Sequence, residues 1–219
     1  MAREIEIKLQ INDLIALRLA LKRLGARLLG KGTGRVHECN VLFDTPQSDV
    51  AKRGQLLRIR TETPESKSRN GKAAPKKRIL LTFKRPVDTG KVAPSTGVEG
   101  NGRHKVREEI ELEVADSTAL TTIFEGLGMR GWFRYEKRRT TFRLPPAARW
   151  AKGLLIELDE TPIGTFVELE GPPAAIDRAA HDLGFSPRDY IVENYLALYI
   201  EDCRRQGVEP KDMVFAAKK

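Results

Sequence analysis

The segment REIEIKL (residues 3–9) alternates charged and aliphatic residues near the start of the chain. Successive side chains of a β-strand point to opposite faces, so Glu4, Glu6 and Lys8 would share one face of a strand. Carboxylates beside an ammonium group could bind a metal ion and an anion in the same place. A solvated sheet face has the same pattern, so the other strands must decide between these interpretations.

Charged residues alternate with aliphatic ones in several further predicted strands. A wet sheet face mixes lysine and glutamate with serine, threonine and glutamine, whereas these positions are almost wholly arginine, lysine, glutamate and aspartate. The pattern therefore favours an enclosed charged surface. The positions concerned are Arg58, Arg60, Lys84, Glu109, Glu111, Glu113, Lys137, Arg139, Glu157, Asp159, Glu168 and Glu170.

The second half of the sequence repeats the first. Residues 4–13 match residues 109–118, and each segment leads into an amphipathic helix that ends in Leu-Gly. Three more matches follow in order, NVLFDTP with RTTFRLP, LLRIR with LIELD, and LTFKRP with GTFVELEGP. Such a series indicates an internal repeat. Two β-α-β-β-β halves, about residues 3–86 and 106–171, are therefore predicted to pair into one curved antiparallel sheet.

Local signals predict the elements of the first half. Leucines at helical spacing between Asn12 and Leu24, with Asn12 or Asp13 as N-cap and Gly25 as the stop, predict a helix. Strands are predicted at about 35–43, 55–61 and 78–84. The stretches 62–77 and 86–105 are rich in glycine, proline and lysine, which predicts loops.

The C-terminal part is predicted to be helical. One helix would begin at Pro172-Pro173 and end at Leu183-Gly184. A final helix, from about Asp189 to Arg205, would pack on the outside. Residues 1–205 would thus form one domain whose C-terminal helices lie within 172–206, followed by a tail of residues 207–219. The predicted packing face of the final helix consists of Val192, Tyr195, Leu196, Tyr199 and Ile200.

The arrangement of helices decides where the charges lie. If the helices cover the aliphatic face, the sheet must curve with its charged face inward, as in barrels that enclose a polar ligand. Charges inside a barrel are costly unless each is paired or bound. The basic residues would need a polyanion and the acidic residues a divalent cation. A metal-chelated triphosphate supplies both.

Phosphoryl transfer assigns roles to these residue types. It requires cations along the phosphate oxygens, a metal ion with oxygen ligands, and a positioned nucleophile. Arginine matches phosphate with a planar fork of donors, so Arg58, Arg60 and Arg139 are candidates, with Lys8, Lys84 and Lys137 as point charges. Mg²⁺ or Mn²⁺ prefers carboxylates and keeps several waters, one of which could be the nucleophile. The candidate metal ligands are Glu4, Glu6, Asp159, Glu168 and Glu170.

These motifs together resemble the CYTH superfamily, which groups class IV adenylyl cyclases with thiamine triphosphatases and inorganic triphosphatases of the triphosphate-tunnel fold. EIEIK (4–8) resembles the Glu-x-Glu-x-Lys signature of the family. The other resembling segments are LRIR (57–60), LTFK (81–84), REEIELE (107–113), YEKRRT (135–140), ELDE (157–160) and GTFVELEG (164–171). They run in family order across about residues 3–171.

The resemblance implies an α+β fold, with an eight-stranded antiparallel tunnel that has a charged interior and helices on the outside. It implies that Glu4, Glu6 and Lys8 are catalytic. The two glutamates would be associated with the metal, and Lys8 would bind phosphate or help to activate the nucleophile. Glu168 and Glu170 would be metal ligands, with Asp159 and Glu109 or Glu111 in support. The acidic residue that the family has in the segment REEIELE could correspond to Glu108, Glu109 or Glu111. The odd positions are favoured because Ile110 and Leu112 should face outward.

Two reactions fit a triphosphate held in this way. A class IV-type cyclase would convert ATP to cyclic AMP and pyrophosphate, which is the first expectation. A triphosphatase would hydrolyse tripolyphosphate, thiamine triphosphate or a nucleoside triphosphate, and is the alternative. Nothing in the sequence identifies an adenine pocket.

Composition sets the cellular context. The formal net charge is +9, and no stretch reaches the roughly 18 apolar residues of a membrane span. Two cysteines and no secretory segment predict a cytoplasmic protein.

The basic runs at 67–78 and 102–107 leave an RNA- or polyphosphate-binding module as a remote alternative, although few aromatic residues lie there to stack on bases. Apolar residues on the last helix would allow a homodimer.

Overall fold

The computed structural model describes residues 2–29, 34–65, 76–87 and 103–216. Most of the two predicted loops and of the basic run 67–78 lies outside these residues. The strands are β1 (Ala2–Ile11), β2 (Arg27–Leu28), β3 (Arg35–Asp44), β4 (Leu56–Pro64), β5 (Arg78–Arg85), β6 (Lys105–Glu113), β7 (Arg130–Arg143), β8 (Leu155–Thr161) and β9 (Gly164–Glu170). The α-helices are α1 (Leu14–Arg23), α2 (Asp49–Lys52), α3 (Ser117–Gly126), α4 (Pro173–Asp182) and α5 (Tyr195–Gln206).

Eight of the strands form a closed antiparallel barrel. The hydrogen-bonded order is β7-β3-β4-β5-β6-β1-β9-β8, and pairing of β8 with β7 closes the ring. The two-residue β2 adds to the edge of β7 outside the ring. The helices lie outside the barrel, so the predicted α+β tunnel is confirmed.

The two halves of the sequence occupy equivalent places in the barrel. Strands β3, β4 and β5 lie in order on one side, and β7, β8 and β9 lie in the mirrored order on the other. The first strands of the two halves, β1 and β6, pair with each other, and so do β3 and β7. A pseudo-twofold axis between these two pairs therefore relates the halves, as the repeat predicts.

The helices of the two halves have the same local construction. The Asp13 carboxylate accepts hydrogen bonds from the backbone N–H groups of residues 15 and 16, and Asp116 accepts them from residues 118 and 119. These N-caps satisfy donors that the first helical turn leaves free. Gly25 and Gly128 follow the two helices with φ values of 67° and 79°, a conformation in which a side chain would be strained.

The largest core lies between the barrel wall and the helices α1 and α4. The outward side chains of β1, β8 and β9 pack there against leucines of α1 and small residues of α4, and this burial fixes which face of each strand turns inward. The residues that are completely buried include Ile7, Leu9, Ile156, Val167, Leu169, Ile176, Ala179 and Ala180.

The predicted start of the final helix is wrong by six residues. Asp189 instead closes a short 3-10 turn, where its carboxylate accepts hydrogen bonds from the backbone N–H and hydroxyl of Ser186. The chain then runs extended and pairs with β1 before α5 begins, with Asn194 as N-cap. The packing face is also corrected, because Tyr195 reaches the barrel interior while Ile200 is 46% exposed.

The residues after α5 lie against the barrel. Backbone hydrogen bonds join Met213 to Arg134 and Glu136 of β7, and the Met213 side chain is buried beside Tyr135. Residues 208–216 thus cover part of β7 that β8 does not pair with. In the described part of the chain, no helix combines the length and apolar character needed to cross a bilayer.

We expect Ile176→Ala to lower the free energy of unfolding by about 2–5 kcal/mol, because it leaves a cavity in the largest core. Ile15→Ala is the matched control, since Ile15 is 73% exposed whereas Ile176 is completely buried. Urea unfolding of both variants measures the difference. Equal effects would contradict the assignment of α4 to the core.

Candidate active site

The barrel encloses a cavity of about 260 Å³ whose wall is almost entirely charged. Within the described residues, seven acidic and seven basic side chains line it. The acidic residues are Glu4, Glu6, Glu109, Glu111, Glu157, Glu168 and Glu170, and the basic residues are Lys8, Arg58, Arg60, Lys84, Lys105, Lys137 and Arg139. Leu56, Tyr135, Asn194 and Tyr195 complete the wall.

The structure brings all but one of the sequence-predicted site residues to this wall. The exception is Asp159, which is completely buried behind it. In β6, Glu109 and Glu111 face the cavity, whereas Glu108 faces outward and accepts a hydrogen bond from Arg85 at 2.7 Å. The odd register expected from the sequence is therefore the one that the barrel adopts.

Asp159 anchors two cations from β7. Its carboxylate accepts hydrogen bonds from Arg139 Nε at 2.7 Å and Nη2 at 2.6 Å, and from Lys137 Nζ at 2.9 Å. The Arg139 guanidinium also contacts Glu157 and Glu168. Because Asp159 lies behind the cavity wall and is completely buried, we do not include it among the proposed metal ligands.

Lys8 lies between two carboxylates from different strands. Its Nζ is 3.1 Å from Glu6 Oε1 and 3.3 Å from Glu168 Oε1. Burial alone would lower the pKa of Lys8, but the Glu6 and Glu168 charges outweigh it and raise the pKa above its ordinary value. Lys8 is therefore an ammonium ion at neutral pH, which suits binding of an anion rather than removal of a proton.

Glu6 also binds Lys105, a residue that the sequence analysis did not select. Lys105 Nζ donates to Glu6 Oε1 at 2.6 Å. Burial would raise the pKa of Glu6, but Lys105 and Lys8 outweigh that effect and lower the pKa well below its ordinary value. Lys84 of β5 reaches across β6 to β1, where its Nζ donates to both oxygens of Glu4, at 2.6 and 2.7 Å.

The arginines of β4 are held by polar groups deep in the barrel. Arg58 Nη1 donates to Tyr135 Oη at 2.9 Å, and Arg60 Nε donates to Asn40 Oδ1 at 3.2 Å. Arg60 Nε also lies 3.5 Å from Glu38, a second residue that the sequence analysis missed. Burial would raise the pKa of Glu38, but Arg60 and the two β7 cations lower it to about 2.

Acidic groups outnumber basic groups in this interior once the buried residues are included. The cavity wall is balanced, but Glu38 and Asp159 lie behind it and add two negative charges. Burial raises the pKa of Glu157 to about 7 against the opposing effect of Arg139. Burial, reinforced by the Glu157 and Glu4 carboxylates, raises the pKa of Glu170 to about 8. These two carboxylates are therefore incompletely compensated by the protein.

The donor set suits a hard divalent cation. Its groups are carboxylate oxygens, and Glu157 Oε2 is buried without accepting a hydrogen bond in the described residues, although Arg139 contacts it. Across residues 2–29, 34–65, 76–87 and 103–216, no three acidic, histidine or cysteine side chains converge as a metal site. The carboxylates of the cavity wall contact lysine and arginine side chains instead.

The family comparison agrees with the fold. A family model described as CYTH domain matches residues 2–183. Comparison with curated protein sequences finds no match. The match extends from the first strand through α4 and so includes every strand of the barrel.

Solved structures with the same fold come from several organisms. The PH1819 protein from Pyrococcus horikoshii has a TM-score of 0.65 and 20% identity, over 92% of this chain and 98% of that one. A candidate adenylate cyclase from Vibrio parahaemolyticus has a TM-score of 0.63 and 16% identity, over 89% of this chain and 96% of that one. HpAC1 from Hippeastrum, described as having a dominant triphosphatase activity, has a TM-score of 0.50 and 21% identity, over 94% of this chain and 97% of that one. At these identities the similarity shows a shared fold.

We expect Glu170→Gln to flatten the pH dependence of stability in EDTA. The folded chain raises the pKa of Glu170 from 4.5 to about 8, so its proton stabilises the fold at low pH. That stabilisation is lost as the pH rises between these values. The variant should therefore gain stability over the wild type from pH 5 to 8. Thermal unfolding across this range measures it.

Glu125→Gln on α3 is the control for this experiment, because Glu125 lies on an exposed helix outside the tunnel. Its unfolding profile should follow that of the wild type. Parallel profiles for Glu170→Gln and the wild type would show that Glu170 is not held in an acidic, buried environment.

Proposed function

The chain belongs to the CYTH family, and from this membership and the charge pattern of the tunnel we propose that it is a divalent-metal-dependent triphosphatase. The single observation that supports this most is the composition of the wall, in which seven cations and seven carboxylates of the described residues surround about 260 Å³. Cations in this number match a chain of phosphates, and oxygen ligands match Mg²⁺ or Mn²⁺. The carboxylates of the wall, with Glu38 and Asp159 behind it, would repel a phosphate chain that arrived without metal ions.

Binding would exchange one set of anions for another. Lys8, Lys84, Lys137 and Arg139 each contact interior carboxylates in this structure, and Arg58 is held by neutral hydroxyl groups. We propose that phosphate oxygens replace the carboxylates on these cations. The exchange keeps every buried cation paired, so it avoids the cost of an isolated charge.

The freed carboxylates would then serve the metal. Glu4, Glu6, Glu168 and Glu170 are the residues we propose to hold it, with Glu109, Glu111 and Glu157 beside them. When bound, Mg²⁺ or Mn²⁺ would neutralise phosphate charge and orient the attacking water. The chain's own contribution to the transition state would be electrostatic, because the ammonium group of Lys8 would contact phosphate oxygens in place of Glu6 and Glu168 and face the developing charge.

Cavity size and lining favour hydrolysis over cyclisation. A cavity of about 260 Å³ is smaller than the roughly 300–1,000 Å³ typical of pockets for drug-sized ligands. It can surround a triphosphate, but its charged wall provides little surface for a base. Inorganic tripolyphosphate, or the phosphate end of thiamine triphosphate or a nucleoside triphosphate, is therefore the substrate class that we propose.

Adenylyl cyclase activity is the second candidate because of one specific observation. A smaller cavity of about 160 Å³ adjoins the tunnel and shares Lys84, Lys105 and Asn194 with it. Trp132 and Leu196 line this space and provide an apolar surface for an organic group. ATP could thus place its adenosine there, with cyclic AMP and pyrophosphate as products.

We further propose that residues 1–205 are one catalytic domain and that the protein works in the cytoplasm. A role in RNA binding has less support, because the tunnel mixes carboxylates among its cations. Phosphate-binding surfaces for nucleic acid are dominated by arginine and lysine.

We expect purified protein with Mg²⁺ or Mn²⁺ to release orthophosphate from tripolyphosphate, thiamine triphosphate or ATP, as resolved by phosphorus NMR. Arg58→Ala and a Glu4→Gln, Glu6→Gln double variant should each reduce kcat/KM by about 10²–10³-fold, because they remove phosphate or metal contacts. Arg204→Ala, which changes an exposed residue of α5, is the control.

The products decide between the candidate functions. Orthophosphate supports the triphosphatase, whereas cyclic AMP with pyrophosphate would replace it by the cyclase. Absence of turnover of all three substrates with either metal would refute both and favour a binding module.

Metal removal should abolish turnover reversibly. We expect activity to disappear in EDTA and to return on addition of excess Mg²⁺ or Mn²⁺, because the released carboxylates need a cation when phosphate occupies the lysines and arginines. EDTA already saturated with Mg²⁺ is the control for effects of the chelator itself. Full activity in EDTA, with no metal detected by elemental analysis, would contradict the proposed metal role.

A further inference from the structure

Residues 190–194, which we call the strap, connect the outside of the barrel with its interior. The strap runs extended between the 3-10 turn and α5. Ile191 exchanges two backbone hydrogen bonds with Lys8, with N–O distances of 2.8 and 2.9 Å. The strap therefore fixes the backbone of the tunnel lysine at one end and places Tyr195 at the other.

Tyr195 enters the tunnel from the first turn of α5. It is 6% exposed, and its ring packs edge-on against Phe166 with 5.6 Å between ring centroids. Its hydroxyl donates to Asp159 Oδ2 at 2.7 Å. Because the same oxygen accepts from Lys137 and Arg139, the tyrosine hydroxyl shares an acceptor with two cations of the wall.

The ring of Tyr195 lies beneath two lysines. Lys8 Nζ is 5.4 Å and Lys137 Nζ is 5.3 Å from the ring centroid. An aromatic face at this distance attracts an ammonium group without neutralising it, as a carboxylate would. Carboxylates balance the charge of Lys8 and Lys137 in this structure, whereas the ring of Tyr195 would stay beneath both ammonium groups when phosphate replaces those carboxylates.

We propose that Tyr195 is a positioning residue that holds Lys8 and Lys137 in place for the phosphate chain. This inference rests on the proposed function. The ring is the surface against which both ammonium groups pack, and the hydroxyl supplies one of the hydrogen bonds that the Asp159 carboxylate accepts. Asp159 then binds Lys137 and Arg139 less tightly, which leaves these cations able to turn to phosphate.

The two parts of the side chain have separable effects. Loss of the hydroxyl leaves Asp159 with only cations as donors, so Lys137 and Arg139 leave it less readily and substrate binding weakens. Loss of the ring also removes the surface beneath Lys8. Of the two lysines, only Lys137 should therefore respond to Tyr195→Phe, whereas both Lys8 and Lys137 should respond to Tyr195→Leu.

The strap has an outer anchor as well. Tyr190 donates its hydroxyl to Asp177 of α4 at 3.0 Å, and His104 Nε2 lies 2.8 Å from the same carboxylate oxygen. These contacts lie outside the tunnel and touch none of its wall. If the strap positions Tyr195, Tyr190→Phe should produce a weaker form of the same defect.

Steady-state kinetics with tripolyphosphate give the first test. Tyr195→Phe should raise KM about three- to tenfold and change kcat less than twofold, the size expected for the net contribution of one typical hydrogen bond. Tyr195→Leu should raise KM further. Tyr199→Phe is the matched control, because its hydroxyl lies one helical turn away near the Asp212 carbonyl. A fall in kcat with unchanged KM would overturn the positioning role.

Lysine NMR without substrate gives the second test. The Nζ signals of Lys8 and Lys137 are assigned with Lys8→Arg and Lys137→Arg. Tyr195→Phe should shift the Lys137 signal alone, Tyr195→Leu should shift both, and Tyr199→Phe should shift neither. Unmoved signals in both Tyr195 variants would refute the proposal. If the wild type turns over no triphosphate, the proposed function fails, but these signals still decide whether Tyr195 positions the lysines.

Discussion

Neutralisation of buried charge is the constraint on which this structure depends. The barrel turns lysine, arginine and glutamate away from water, and an unpaired ion in such a place would cost several kcal/mol. Partners come from different strands, as when Lys8 of β1 binds Glu168 of β9 and Lys84 of β5 binds Glu4 of β1. The ring of strands must therefore close in one register, because a shift by one residue would separate these pairs and turn them outward.

The same constraint leaves the protein incomplete by itself. Burial raises the pKa of Glu157 to about 7 and that of Glu170 to about 8, while Glu38 and Asp159 contact cations from behind the wall. A protein selected only for stability would replace such carboxylates by neutral groups. Their presence is consistent with a ligand that carries both signs of charge, since its cation would compensate the excess carboxylates while its anion occupies the lysines and arginines.

The sequence predicted the barrel and most of its wall because strands with one apolar face show a period of two. This signal fails in β3, where inward Glu38 and Asn40 alternate with His37 and Cys39, so neither face is purely apolar or charged. Lys105 was missed because the predicted loop 86–105 includes it, whereas in the structure it is the first residue of β6.

Tyr195 was misread for a different reason. Its spacing with Leu196 and Tyr199 is that of an ordinary packing face, and no local signal shows that the chain reaches the tunnel before α5 starts. The register of the repeat also needed the structure. Matching LTFK with GTFV puts Lys84 beside Val167, whereas strand pairing makes Glu170 its equivalent, because Lys84 pairs with Leu56 and Glu170 with Leu155.

That register explains how a repeated fold acquires two kinds of ligand. The pseudo-twofold relates Arg58 to Glu157 and Lys84 to Glu170, so these equivalent positions carry opposite charges, whereas Glu4 and Glu6 match Glu109 and Glu111 with the same charge. Two identical halves would have placed like charges face to face across a narrow interior, which is costly at any register. Inversion of charge at these positions removes that repulsion there. It also separates the groups that we propose for phosphate from those that we propose for its metal, so the stability of the barrel and its proposed chemistry have the same origin.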